Sequence, residues 1–120
     1  SFADCGNNKT NQKEDSFNFK QNSYFKSSNK YRCFVFSIEG NPSEKQIYNH
    51  AKNQMNTSGR TTSVFYFDEY TYKDITLSNS YNEAFTFCLN LNWKYRFDKY
   101  PNGKESLYKL EGDNAIQVNL

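Results

Sequence analysis

Two short apolar runs, Tyr31 to Ile38 (YRCFVFSI) and Thr61 to Phe67 (TTSVFYF), limit what this chain can fold into more than any other feature. Cys33 to Phe36 is apolar at every position, and the second run is largely β-branched or aromatic, as strands buried on both faces require. Between them, Asn41, Pro42, Ser43 and Glu44 make a helix start, with Asn41 as cap, Pro42 at the first helical position and Glu44 three residues after the cap. Ile47, Ala51 and Met55 recur at spacings of four and give the helix a narrow apolar stripe out to about Asn56, where Thr57, Ser58 and Gly59 stop it. Strand, helix and strand in succession imply a crossover unit whose two strands are parallel and central.

Downstream, the spacing of Leu77, Tyr81, Ala84, Phe85 and Cys88 predicts a second helix over 77–90, although Phe85, Phe87, Leu89 and Leu91 also alternate like a strand. Ser80 with Glu83, a capping box, tips the reading toward helix. Trp93, Tyr95 and Phe97 alternate with Lys94, Arg96 and Asp98, the signature of a strand with one buried face. Tyr100 to Gly103 supplies turn chemistry, and Glu105 to Leu110 returns as the other arm of a hairpin. Ile116 and Val118 fit a short edge strand or a frayed end. The expected fold is thus one small α+β domain of order βαβαββ, a mixed four-stranded sheet with two helices, over residues 30–120.

Residues 1–29 are rich in Asn, Lys, Ser and Gln without a sustained apolar period, and read as a polar tether or loosely docked arm. Cys5 followed by Gly6 and a polar spacer matches the start of a mature bacterial lipoprotein, with Cys5 as the lipid attachment point; Asp4 departs from the small residue usual before such a Cys. The missing initiator Met and leader read as processing or trimming. No run of about 18 apolar residues offers a membrane-spanning helix. With 120 residues and a net charge near +2, the chain makes one domain and lacks the strongly basic surface of most nucleic-acid binders.

The run FSIEGNPSEKQIYNHAKNQMNTSGRTTSVFYF, followed by ITL, a helix and the aromatic hairpin WKYRFDKYPNGK, resembles a family of small bacterial secreted or lipid-anchored domains of unknown function. In these, a helix ending in T-x-G-R-T-T leads into an apolar strand. The resemblance covers Tyr31 to Leu110 and implies a secreted, periplasmic or outer-membrane lipid-anchored location, without bringing an activity.

Candidate chemistry is sparse. Arg60, Thr61 and Thr62 follow Gly59 at the entry to a central strand, where they either grip an anion or merely cover the helix end. Lys94 and Arg96, with the hairpin turn, offer a cationic surface. His50, the single histidine, sits at the flank of the apolar stripe and reads as half-buried and structural. Glu44, Asp68, Glu69 and Asp74 stand where helix starts and loops expect acids. Cys33 and Cys88 are placed to meet in the core, as a disulfide or as two thiols. No nucleophile elbow, phosphate loop or metal-ligand spacing is present. The function that follows is a noncatalytic protein-binding or adaptor module of the cell envelope, without metal or cofactor, whose partner is another envelope protein. An immunity or inhibitor protein gives the same pattern. A single-stranded nucleic-acid binder using sheet aromatics is the alternative from another class.

Overall fold

The computed structural model describes residues 16–120. Six strands lie in one mixed sheet in chain order: β1 (Phe17–Lys26), β2 (Arg32–Gly40), β3 (Thr62–Phe67), β4 (Tyr95–Lys99), β5 (Glu105–Glu111) and β6 (Asn114–Gln117). Helix α1 (Glu44–Lys52) joins β2 to β3, which run parallel as expected. A 3₁₀ turn (Ile75–Leu77) and helix α2 (Tyr81–Leu89) join β3 to antiparallel β4. The fold is therefore α+β with two helices, but the order is ββαβαβββ and the sheet has six strands instead of four.

The largest correction is at the amino end. Within the stretch read as a polar arm, Phe17–Lys26 is a full edge strand, paired antiparallel with β2 from Phe17 opposite Gly40 to Lys26 opposite Arg32. Its alternation is broken because Asn22 is an extra residue: Gln21 pairs with Phe36 and Ser23 with Val35. Phe19 and Tyr24 consequently pack against the same cluster despite opposite parity, while Phe25 joins the other one. A one-residue bulge exchanges the two faces of a strand and erases its period. The domain boundary expected at residue 30 is thus placed too late. Cys5 lies outside the described residues.

Each helix seals one face of the sheet. Ile47 and Ala51 of α1 cover Phe34, Phe36, Val64, Tyr66, Tyr95 and Phe97, whereas Ala84 and Cys88 of α2, with Ile75, cover Cys33, Val35, Phe65, Phe67 and Trp93. Trp93 departs from the expected alternation with Tyr95 and Phe97, because β4 begins only at Tyr95 and the indole turns to the α2 side. Both helices are shorter than expected. Ser43, not Asn41, caps α1 in a capping box with Gln46, and Asn53 closes it, leaving Met55 exposed. Ser80 caps α2 and accepts from the Glu83 N–H, as its sequence suggests; Leu77 falls in the preceding 3₁₀ turn and faces water. That turn is pinned to β1, since Ser23 donates to Asp74 (2.6 Å) and accepts from the Ile75 N–H (2.8 Å).

His50 sits on α1 with its ring stacked 4.1 Å from Phe19 and Nδ1 2.7 Å from the Tyr66 hydroxyl. Burial raises the Tyr66 hydroxyl far above the ordinary phenol range and lowers His50, so the pair rests as a neutral phenol donating to a neutral imidazole. Protonating His50 removes that acceptor. The unfolded chain takes up the proton at about pH 6.5 and the folded chain only lower, so stability from neutral His50 is complete above about 6.5 and lost as pH falls through the folded value. Urea midpoints of the wild type should therefore decline relative to those of His50→Gln as pH drops from about 7 to about 5. A second test concerns Gly40, whose φ of +81° suits glycine and where an added Cβ would lie 2.4 Å from the Ser16 carbonyl oxygen. Gly40→Ala should cost more than about 1 kcal/mol and speed amide exchange in the first residues of β1.

Candidate binding cleft

The residues singled out in the sequence do not converge. Arg60 donates from Nε to the Asn29 carbonyl (2.8 Å) and lies over the Tyr31 ring at 5.8 Å, tying the entry of β3 to the β1–β2 turn. The Thr61 carbonyl accepts from the Arg32 N–H (3.1 Å), and Thr62 is buried with its hydroxyl unpartnered among the described residues. Lys94 stands at the opposite end of β3, its N–H bonded to the Tyr66 carbonyl and its ammonium 3.2 Å from Asp68. Six strand residues, about 20 Å, separate it from Arg60. The join at Arg60 is a corner held by local contacts.

Arg96 departs from the exposed cationic surface expected of it. Its side chain is only 14% exposed, with the guanidinium 4.6 Å from the Tyr108 ring centroid, 5.5 Å from Trp93 and 5.6 Å from Phe85. Nε donates to Asp98 (2.9 Å), whose other oxygen accepts from Ser63 (2.6 Å), the second residue of β3. The Tyr81 hydroxyl lies 2.6 Å from the same Ser63 oxygen. Ser63 has one proton and gives it to the carboxylate, so Tyr81 is the donor to Ser63. Burial raises the Tyr81 hydroxyl well above the ordinary phenol range and keeps that proton in place. A chain of bonds thus runs from the first turn of α2 through β3 to β4.

The expected meeting of Cys33 and Cys88 occurs, but as two free, fully buried thiols. Burial first, then the hydrogen bond and charge of Cys88, pushes the Cys33 thiol up, away from the thiolate that disulfide exchange needs. Among the described residues no group of three His, Cys, Asp or Glu is placed to hold a metal ion. The four candidate acids are dispersed: Glu44 accepts from the Tyr95 hydroxyl (3.0 Å), Asp68 pairs with Lys94, and Asp74 is held below the usual carboxylate range by its bonds to Ser23 and Thr76. Glu69 is exposed beside Asp68 in the loop after β3. Phe65, Tyr66 and Phe67 are covered by helices, which leaves base stacking on this strand without a platform.

What the fold does build is a cleft of about 710 Å³ between the β1–β2 turn and the first turn of α2. Phe25, Tyr31 and Tyr81 form its aromatic part, with the two tyrosine rings 5.6 Å apart and tilted by 53°. Ser27, Ser28, Asn29, Asn79, Ser80 and Asn82 supply hydroxyls and amides. Tyr81 is fixed from behind by the Ser63–Asp98–Arg96 chain, and Tyr31 by Arg60. Sequence reasoning missed this site because one wall lies in the stretch read as a tail; the Ser80 cap was the signal that located the other. A smaller recess of about 240 Å³ lies where Gly59 and Arg60 approach the β4–β5 turn.

Comparison of the chain with protein-family models, curated proteins and solved structures gives no match. The buried chain of bonds carries a direct test. Asp98→Ala leaves the Arg96 charge and the Ser63 hydroxyl without their acceptor, and should lower unfolding free energy by about 3–5 kcal/mol in urea titrations. Ser63→Ala, which removes one hydroxyl between two partners, should cost about 1–3 kcal/mol.

Proposed function

We propose that this domain is a noncatalytic binding module of the cell envelope, one that holds another envelope component in the cleft between the β1–β2 turn and the start of α2. One observation carries the reading. The aromatic wall of the cleft is held from behind by Ser63 and Arg60, so its shape exists before a ligand arrives. Preorganisation of this kind lowers the ordering cost of binding. A volume of about 710 Å³ falls within the range of about 300–1,000 Å³ usual for ligand sites.

The envelope location rests on the resemblance to small secreted or lipid-anchored bacterial domains and on the lipoprotein-like context of Cys5. No helix among the described residues is long and apolar enough to cross a membrane, so attachment in this reading is through a lipid on Cys5. Intact mass of the protein from fractionated native cells would show the diacyl addition. Immobilised domain should retain an envelope component from solubilised membranes, Lys94→Ala should retain it equally, and Tyr31→Ala should lose it. Equal retention by Tyr31→Ala would reject the cleft as the binding surface.

A further inference from the structure

The chemistry of the cleft narrows its ligand further, and the inference rests on the binding reading above. We infer that the cleft takes a neutral saccharide, the face of a sugar ring lying on Tyr31 and Tyr81 and its hydroxyls meeting the surrounding amides. A pyranose has one face of C–H groups and a rim of hydroxyls, each both donor and acceptor. Tyr31, with Arg60 over its ring, and Tyr81, stacked on Phe85 at 5.8 Å, both line the cleft and offer rings of fixed orientation for the first, since flat apolar surfaces and aromatic faces bury well against each other. For the second, the exposed side chains of Ser28, Asn79 and Asn82 take no hydrogen-bond partner among the described residues, and each amide presents a carbonyl and an NH₂ group side by side. The first-turn N–H groups of Tyr81 and Asn82 have no intrahelical acceptor either.

Charge argues for a neutral ligand. The start of a helix favours anions, but here Glu83 accepts from the Asn79 N–H (2.5 Å), so a carboxylate of the chain itself already takes that donor and offsets the charge at the helix start. Lys26 is the one charged residue in the lining. An extended peptide finds little main chain to pair with, because the turn spends its own groups: Ser27 N–H bonds to the Tyr31 carbonyl and Lys30 N–H to the Ser27 carbonyl, both at 2.9 Å.

The test uses cellotetraose, maltotetraose and chitotetraose as probes against the ¹⁵N-labelled domain, with inorganic phosphate as the anionic competitor. At least one tetrasaccharide should bind with Kd of about 1 mM or tighter, shifting the amide signals of residues 27–31 and 79–82. Tyr31→Ala should weaken that binding at least about tenfold, and Asn82→Ala, an exposed change that breaks no contact within the fold, should weaken it several-fold. Phosphate should not compete. Absence of shifts with all three sugars at about 10 mM overturns the inference, as do shifts elsewhere, full competition by phosphate, or affinity unchanged in Asn82→Ala. Failure with sugars while Tyr31→Ala still abolishes retention of an envelope component rejects the saccharide and leaves the binding module; failure of both rejects the two together.

Discussion

Strand β3 lies between two helices with none of its six residues more than 2% exposed, and that enclosure governs what surrounds it. Phe65, Tyr66 and Phe67 each gain about 1.5–3 kcal/mol from leaving water, but only if both faces are covered, so a helix is needed on either side. Enclosure also sets terms for the polar atoms of the strand. Tyr66 meets His50, and Ser63 meets Asp98 and Tyr81. Of the side-chain hydroxyls of β3, that of Thr62 finds no partner among the described residues, at a cost of about 1–3 kcal/mol. The contacts that hold the cleft wall therefore arise from the same requirement that builds the core.

Much of this architecture could be read from residues 31–110. The apolar stretch Cys33 to Phe36 and the β-branched and aromatic run Thr61 to Phe67 marked β2 and β3 as central, and the helical spacing of Ile47 and Ala51 marked the crossover that makes them parallel. The helix ends were harder to read, because three adjacent residues, Asn41, Pro42 and Ser43, are all good starts. Ser43 wins through its reciprocal bond with Gln46, a partner that lies two positions beyond the expected Glu44. At the amino end, the bulge at Asn22 moves the face of β1 that packs on the α1 side from odd positions (Phe19) to even ones (Tyr24), and puts Phe25 on the opposite face. An edge strand exposing Lys20, Gln21 and Lys26 then has too few apolar residues left to show a period.

The candidate site was less legible than the fold for a related reason. Its walls lie some fifty residues apart in sequence, and neither wall bears a catalytic or metal-binding signature. Charged residues drew attention instead, yet Arg60 serves a turn and Arg96 spends its charge on Asp98 beneath three aromatic rings. Alternation correctly put Arg96 and Asp98 on one face of β4. It did not show that this face meets Ser63, because register across strands depends on turns and bulges that local spacing does not encode.

The irregularity of β1 has a consequence beyond its own pairing. Among the described residues the six-stranded sheet is open, with two outer margins, each a row of backbone groups able to recruit a strand from another molecule. On one margin, the bend at Asn22 and the lysines at positions 20 and 26 make a poor template for such recruitment. On the other, β6 is only four residues long and wholly exposed, which leaves little length for a foreign strand to register against. The same extra residue that hides β1 from sequence reading thus helps keep neighbouring molecules from joining their sheets.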